Sequence, residues 1–301
     1  MNVVITGSSG FVGQNLTPFL LERGFSVSPL SLRGDWPEKL PERYDAIIHL
    51  AGKAHDTKNT TAPEEYFRVN TDLTIKLFDF FLKSKARDFV YFSSVKAVAD
   101  SVSGVLDESV IPDPRTPYGQ SKRKAEEYLQ TKLLPEGKRL FILRPCMIHG
   151  PGNKGNLNLL YKVVSKGVPW PLGSFENARS FLSIDNLLFV IRTLLHHSEL
   201  PGGVYNLADD DSLSTNEVIK IIAETKGKKP RIWRIPSPVI QWVARLGGKF
   251  KLPLDPERLK KLTENYVVDN TKIKRVLNIH NFPVSVTEGL RNTLESFSQN
   301  K

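Results

Sequence analysis

Short apolar runs recur along the first two thirds of the chain, at Val3 to Thr6, Tyr44 to Ala51, Asp88 to Ser94, Arg139 to Pro145 and Gly203 to Leu207. Runs of this length with little polar interruption suit strands buried on both faces of a sheet. Between them, Phe11 to Arg23, Pro63 to Lys83 and Ser121 to Leu133 carry apolar residues at the spacing of amphipathic helices. The alternation predicts an α/β fold: a mostly parallel sheet with right-handed crossovers and helices on both faces. Two stretches resist this pattern. Pro18 falls inside the first helix, and residues 33 to 43 are too short for a helix plus a strand, so a trimmed crossover is expected there. After about residue 150 the pattern loosens into turns rich in Gly, Pro and Asn (Gly150 to Asn158, Val168 to Ser174), followed by helical stretches. The expected organisation is a dinucleotide-fold domain over 1–150, with 182–208 returning to it, and a smaller interleaved lobe from 151–181 and 209–301.

Composition narrows the class without changing it. With 301 residues, 40% hydrophobic and 25% charged, the chain can bury a core unaided by disulfides or metals. Its single cysteine, Cys146, has no partner for a disulfide, and no Cys/His spacing resembles a metal site, so a reducing, cytoplasmic setting without metal is expected. Cys146 also lacks a neighbouring base and reads as packing rather than nucleophile. Met1 leads directly into the first apolar run with no basic leader, and no stretch of about 18 apolar residues occurs, which argues against secretion and against an integral membrane segment. The net charge of +10 is scattered, with small clusters at Lys122 to Lys124 and Lys226 to Arg231. A solvated basic surface, attraction of anionic diphosphates and peripheral attachment to an anionic membrane all fit it; nucleic-acid binding is not expected.

The chemistry begins at Thr6-Gly7-Ser8-Ser9-Gly10-Phe11-Val12-Gly13, which follows the first strand and opens the first helix. Glycines there permit a tight turn and close backbone approach to a pyrophosphate, which the helix N-terminus attracts. At the end of the second strand, where an acidic residue would bind ribose hydroxyls, stand Ser31, Leu32 and Arg33. A neutral residue followed by a guanidinium favours the 2′-phosphate of NADP over NAD, although Arg33 also fits a solvated loop charge. Tyr118-Gly119-Gln120-Ser121-Lys122 puts a phenol and an ammonium four residues apart, on one helical face. A nearby ammonium favours phenolate and lets a tyrosine move a proton as hydride moves on carbon. Ser94, ending the strand Phe89-Val90-Tyr91-Phe92-Ser93, could hydrogen-bond the reacting oxygen, or simply cap a turn.

Together TGSSGFVG, HLAG at His49 to Gly52, Asn70, FSS at Phe92 to Ser94, PYGQSK and LRP at Leu143 to Pro145 resemble the extended short-chain dehydrogenase/reductase family, in its NAD-dependent epimerase/dehydratase branch. The resemblance implies a Rossmann-type doubly wound sheet. It makes Tyr118 the acid/base, Lys122 the residue that lowers its pKa, and Ser94 the group orienting the sugar. It places the cofactor against Gly7, Ser9, Gly10, Phe11, Val12, Gly13, Ser31, Arg33, Leu50, Ala51, Gly52, Asn70, Tyr118, Lys122 and Pro145. The later GPGNKGN, NARSFLSIDN and YNLADDDSLST stretches look like the nucleotide-sugar members, and imply that Asn156 and Arg179 hold the diphosphate. His55 follows HLAG and reads as a loop residue with a smaller claim to ligand contact.

Departures from the family pattern narrow the reaction. Sugar-nucleotide 4,6-dehydratases carry Asp-Glu after the Ser/Thr, and this chain has Val95-Lys96, which cannot protonate a leaving hydroxyl. The next three residues depart from the pattern too, as Ala97-Val98-Ala99. Two reactions at C4 of a nucleotide-linked, UDP-type hexose are left. Ser31/Arg33 and the SSVK sequence favour an NADPH-dependent 4-keto-6-deoxyhexosamine reductase of bacterial surface-polysaccharide synthesis; a UDP-sugar 4-epimerase, with NAD, is the alternative. A non-catalytic NADP sensor is opposed by the intact Ser94, Tyr118 and Lys122. The helices near Pro63 to Lys83 and Ser121 to Leu133 resemble the family's dimer interface, implying a homodimer.

Overall fold

The computed structural model describes residues 1–53, 62–153, 155–250 and 255–299. Six parallel strands form the central sheet: β1 (Asn2–Thr6), β2 (Ser26–Leu30), β3 (Ala46–His49), β4 (Asp88–Phe92), β6 (Arg139–Pro145) and β9 (Gly203–Leu207). Their spatial order is β2-β1-β3-β4-β6-β9. Here β5 is the short Val105–Leu106, which pairs with β11 (Val267–Val268), while β7 (Met147–His149), β8 (Arg179–Ser183) and β10 (Ser212–Leu213) make a separate three-stranded sheet. The inner strands are mostly apolar because both faces are covered. Val3, Ile5, Ile48, Val90, Phe92, Phe141 and Leu143 pack on one side with α1 (Phe11–Leu21) and α6 (Ile184–His196). Val4, Ile47, Phe89, Tyr91, Leu140 and Ile142 pack on the other with α3 (Leu73–Lys83) and α4 (Pro117–Thr131).

The α/β expectation holds. Strand β2, Ser-Val-Ser-Pro-Leu, is not an apolar run because it is an edge strand, the one place in a sheet that tolerates Pro29. Between β2 and β3 the described chain holds a single 3₁₀ turn, Pro37–Lys39, with Trp36 buried beneath it. Pro18 stays within α1, whose Leu16 and Leu20 are fully buried and hold the helix against the sheet despite the missing donor. From β2 the chain passes over β1 to reach β3, so the topology reverses at the C-terminal ends of β1 and β3, where ligands of open α/β sheets collect.

A second apolar core lies beyond the sheet. It gathers residues of α5 (Asn156–Ser165), α7 (Thr215–Thr225), α8 (Ser237–Phe250), α9 (Pro256–Thr263) and α11 (Val286–Gln299), with Trp170 and Phe181; α10 (Thr271–Leu277) packs instead on β9 and α6. Among the described residues no helix is long and apolar enough to cross a membrane.

Candidate active site

The crevice is framed first by the turn after β1. Gly7 has φ +71°, and a Cβ on it would lie 2.6 Å from the Ala51 amide, so only glycine lets this turn nest against the end of β3. Helix α1 then opens after Gly10 with no side chain capping its first turn. Its N–H groups and dipole suit a pyrophosphate, and the glycines leave the backbone bare for it. Ser9 is exposed on this turn, while Phe11 and Val12 are half-buried. Beneath it, Thr6 Oγ1 accepts from the Ala51 amide (3.1 Å) and meets His49 Nδ1 (2.7 Å), whose Nε2 meets Thr74 Oγ1 (2.8 Å). Burial, aided by the Lys122 charge, pushes His49 down to about 3, so it stays neutral and fastens β1 and β3 to α3.

Asn70 fastens the next segment. It sits in a π turn, Arg68–Asp72, between α2 (Pro63–Phe67) and α3, a kind of irregularity that gathers at functional sites. Its Oδ1 accepts from the Lys53 amide (2.7 Å), and its Nδ2 donates to Lys53 O (3.1 Å) and Ser121 Oγ (3.0 Å). The backbone at Leu50 to Lys53 is thereby tied to α4. A Cβ on Gly52 would lie 3.0 Å from Asn70 Oδ1 and 3.2 Å from Lys122 Nζ, so this polar hollow has little room for a side chain at residue 52.

The residues that the family resemblance makes catalytic come together where β4 ends. Ser94 caps the 3₁₀ turn Val95–Ala97, accepting from the Lys96 amide at 3.2 Å. Opposite, Thr116 caps α4, and Asp100 accepts from the Arg115 amide (2.6 Å), the Thr116 amide (3.2 Å) and the Thr116 hydroxyl (2.9 Å). Gly119 faces the Lys96 carbonyl so closely that a Cβ would lie 2.3 Å away; its lack of a side chain lets α4 lie on the Ser94 turn. The result is a hydrogen bond between Ser94 and Tyr118, with Tyr66 edge-on to the phenol ring, centroids 6.3 Å apart. One turn on, Lys122 is buried and donates from Nζ to Phe92 O at 2.7 Å. Burial pulls it down to about 8, and Glu126 one turn further opposes that shift.

In the structure Tyr118 is raised above the ordinary phenol value, because burial outweighs the Ser94 hydrogen bond, and Lys122 spends its ammonium on the Phe92 carbonyl. The phenol is therefore a proton donor at neutral pH. Cys146 agrees with its reading as packing, since burial pushes its thiol well up.

The other site residues are more dispersed. Pro145 ends β6, paired with Leu207. Ser31 and Arg33 are both exposed just past β2, the Arg33 amide donating to Ser31 Oγ at 3.4 Å. Arg179 opens β8 with its guanidinium held by Glu264 (3.2 Å) and Lys261 O (2.8 Å). Asn156 opens α5, its side chain lying outside the described part, as does all of His55. Sequence reasoning missed the buried Glu126–Arg144 pair: Arg144 Nε donates to Glu126 Oε1 at 2.9 Å, and Ser93 donates its hydroxyl to the same carboxylate. The available signal was Glu126 four residues after Lys122, on the same helical face.

A glycine-lined helix start, a Ser94–Tyr118 contact and a buried Lys122 lie along one sheet edge, an arrangement suited to dinucleotide-dependent chemistry. The sequence model of the NAD dependent epimerase/dehydratase family matches residues 3–208. The chain belongs to that family. It is 29% identical over 322 aligned residues to the UDP-glucose 4-epimerase of Vibrio cholerae, covering 99% of this chain and 96% of that protein. It is 31% identical over 244 residues to the GDP-6-deoxy-D-mannose reductase of Pseudomonas aeruginosa, covering 73% of this chain and 78% of that protein. Its fold superimposes with a TM-score of 0.74 on the structure of RMD from Pseudomonas aeruginosa complexed with NADPH, at 23% identity and 99% coverage of both chains. As a member of the epimerase/dehydratase family the chain is an enzyme that uses a nicotinamide dinucleotide, and the two relatives named above are a nucleotide-sugar epimerase and a nucleotide-sugar reductase.

Proposed function

We propose that the protein reduces the C4 ketone of a UDP-linked 6-deoxyhexosamine with NADPH. The observation that carries this reading is the end of β2, where exposed Ser31 and Arg33 stand and no carboxylate occupies residues 31–34. Arg33 is then free to pair with the 2′-phosphate that distinguishes NADPH, the form a reductase consumes.

Bound NADPH supplies the hydride. The protein's own groups handle the oxygen: Ser94 donates a hydrogen bond to the C4 oxygen, and Tyr118 gives it a proton as negative charge develops there. A phenol protonated at neutral pH has a proton to give to the alkoxide as it forms. Lys122 and Asn70 border the hollow at Gly52 and would hold the ribose and nicotinamide. Lys96, where a dehydratase has a carboxylate, donates from Nζ to Asp100 O at 2.6 Å, so dehydration lacks its second acid/base pair. Arg179 would exchange Glu264 for the diphosphate.

The competing reading, a UDP-sugar 4-epimerase with retained NAD, rests on the Vibrio cholerae relative, whose likeness spans nearly the whole chain. Absorbance of reduced nicotinamide separates the two when the purified protein meets UDP-4-keto-6-deoxy-N-acetylglucosamine. Stoichiometric loss, faster with NADPH than NADH, is expected. No net consumption, together with interconversion of UDP-hexose C4 epimers by NMR, would replace the reductase by the epimerase.

A further inference from the structure

Within a charge that is otherwise scattered, one stretch of the second lobe is locally rich in cations. Residues 226–247 contain Lys226, Lys228, Lys229, Arg231, Arg234 and Arg245 and no Asp or Glu, so this short stretch contributes +6 of the +10. Lys228, Lys229 and Arg231, with Lys166, line a hollow of about 430 Å³ whose other walls are Val164, Gly167, Val168 and Ile219. Four cations and no carboxylate face one space of a size that admits a phosphate-bearing headgroup.

Further along the same stretch of chain, apolar residues are exposed. From Arg231 the chain runs past Ile232, bridged to Trp170, and Arg234, bridged to Leu172, into α8. Ile240 and Ala244 turn inward and are buried, while Val239, Trp242 and Val243, at i, i+3 and i+4, form a second apolar strip on the outer face. Trp242 is 61% exposed and Trp233, in the segment before the helix, 56%; they are the exposed tryptophans of the four in the chain. A surface helix that presents Trp and Val outward, entered from a stretch rich in cations, shares features of an interfacial membrane helix: tryptophan favours the headgroup boundary, and lysine and arginine favour its negative potential.

We propose that this surface docks the enzyme on an anionic lipid bilayer, with phosphate headgroups in the Lys166, Lys228, Lys229 and Arg231 hollow and the Val239, Trp242, Val243 strip in the interface. The inference is independent of which sugar the active site reduces. Positive charge matches a bilayer of phosphatidylglycerol in phosphatidylcholine, and the strip matches its apolar boundary.

Co-sedimentation of the full chain with vesicles tests this. Binding is expected to phosphatidylcholine vesicles containing phosphatidylglycerol, not to phosphatidylcholine alone, and to weaken at high salt. Lys228→Gln with Lys229→Gln should weaken it about 25-fold, roughly fivefold per cation. Trp242→Ser with Val243→Ser should weaken it at every salt concentration and abolish a blue shift in tryptophan emission. Both exposed pairs lie outside the catalytic crevice, so turnover of soluble substrate should stay unchanged. Three results overturn the proposal: equal or absent binding to both vesicle types, loss of binding to free glycerol phosphate alone, or a wild-type oligomer that Trp242→Ser with Val243→Ser dissociates, which would make the strip a contact between copies of the chain.

Discussion

The two ends of the crevice are built on different principles. At the end that holds Tyr118, Asn70 and Lys122 are buried and each is held by at least one hydrogen bond to backbone; Ser94 is buried too, and Tyr118 is wedged between it and Tyr66. At the end beyond β2, Ser31 and Arg33 stand in solvent, joined by one long contact. Folding fixes the geometry of the first end whatever is bound, and does so at some expense in stability. At the second end only residue identity is set, and the ligand must complete the site. Substitutions should therefore act strongly and on both folding and turnover at the first end, weakly and on ligand choice alone at the second.

The largest effect is expected for Tyr118→Phe, which removes the phenolic proton and keeps the ring that packs on Tyr66. Turnover should fall by about 10²- to 10⁴-fold, the range for a general acid, while cofactor binding by fluorescence titration is kept. Retained turnover would mean that the oxygen is protonated from elsewhere and that the Ser94–Tyr118 contact is structural.

Next comes Glu126→Ala, below the same end of the crevice. It strands Arg144, 3% exposed, and leaves the Ser93 hydroxyl without its acceptor. Removing one member of a buried pair typically costs about 3–5 kcal/mol, which urea unfolding should register. Because Ser93 adjoins Ser94, turnover should drop as well. A stable, fully active variant would show that the catalytic end does not depend on this pair.

The buried Lys122 should show the opposite sign in stability. Held near 8 against an ordinary lysine value of about 10.4, it binds its proton more weakly when folded than when unfolded. Stability should therefore rise with pH between about 8 and 10.4, with the full penalty present below 8. Lys122→Met should remove that slope and stabilise the fold at neutral pH, on the order of 3 kcal/mol, while abolishing turnover. Unchanged stability from pH 7 to 10 in both proteins would mean that the lysine is solvated in the resting enzyme.

Legibility in the sequence divides along the same line. The central strands were readable because burial on both faces makes them continuously apolar, as in Phe89 and Tyr91 against Val90 and Phe92. Tyr118 and Lys122 were readable because helical spacing alone brings them together. Helix α4 in fact begins at Pro117, four residues before its apolar pattern at Ser121, and Thr116-Pro117 was the start signal that marks it. The supports were not readable. Thr6 with His49, Asp100 with Thr116, Asn70 with Ser121 and Glu126 with Arg144 are polar pairs 16 to 51 residues apart. Periodicity has no term for such pairs; only the folded sheet edge brings them together.

The smallest effect belongs to the open end, and it sharpens the comparison most. Arg33→Ala touches no buried group, so thermal stability should not move, and turnover at saturating cofactor should hardly change. Preference is where it should show: a solvent-exposed guanidinium paired with a 2′-phosphate contributes about 1 kcal/mol, so the ratio of kcat/KM for NADPH over NADH should fall roughly fivefold. The fall should lie in the KM for NADPH and shrink at high salt, because the pair is screened. Ser31→Asp adds the missing carboxylate and should push the ratio further the same way, by repelling the phosphate and accepting from the ribose hydroxyls. If both variants leave the ratio unchanged, Arg33 is a solvated charge, and the end of β2 no longer favours NADPH or net reduction, while the catalytic end stands as described.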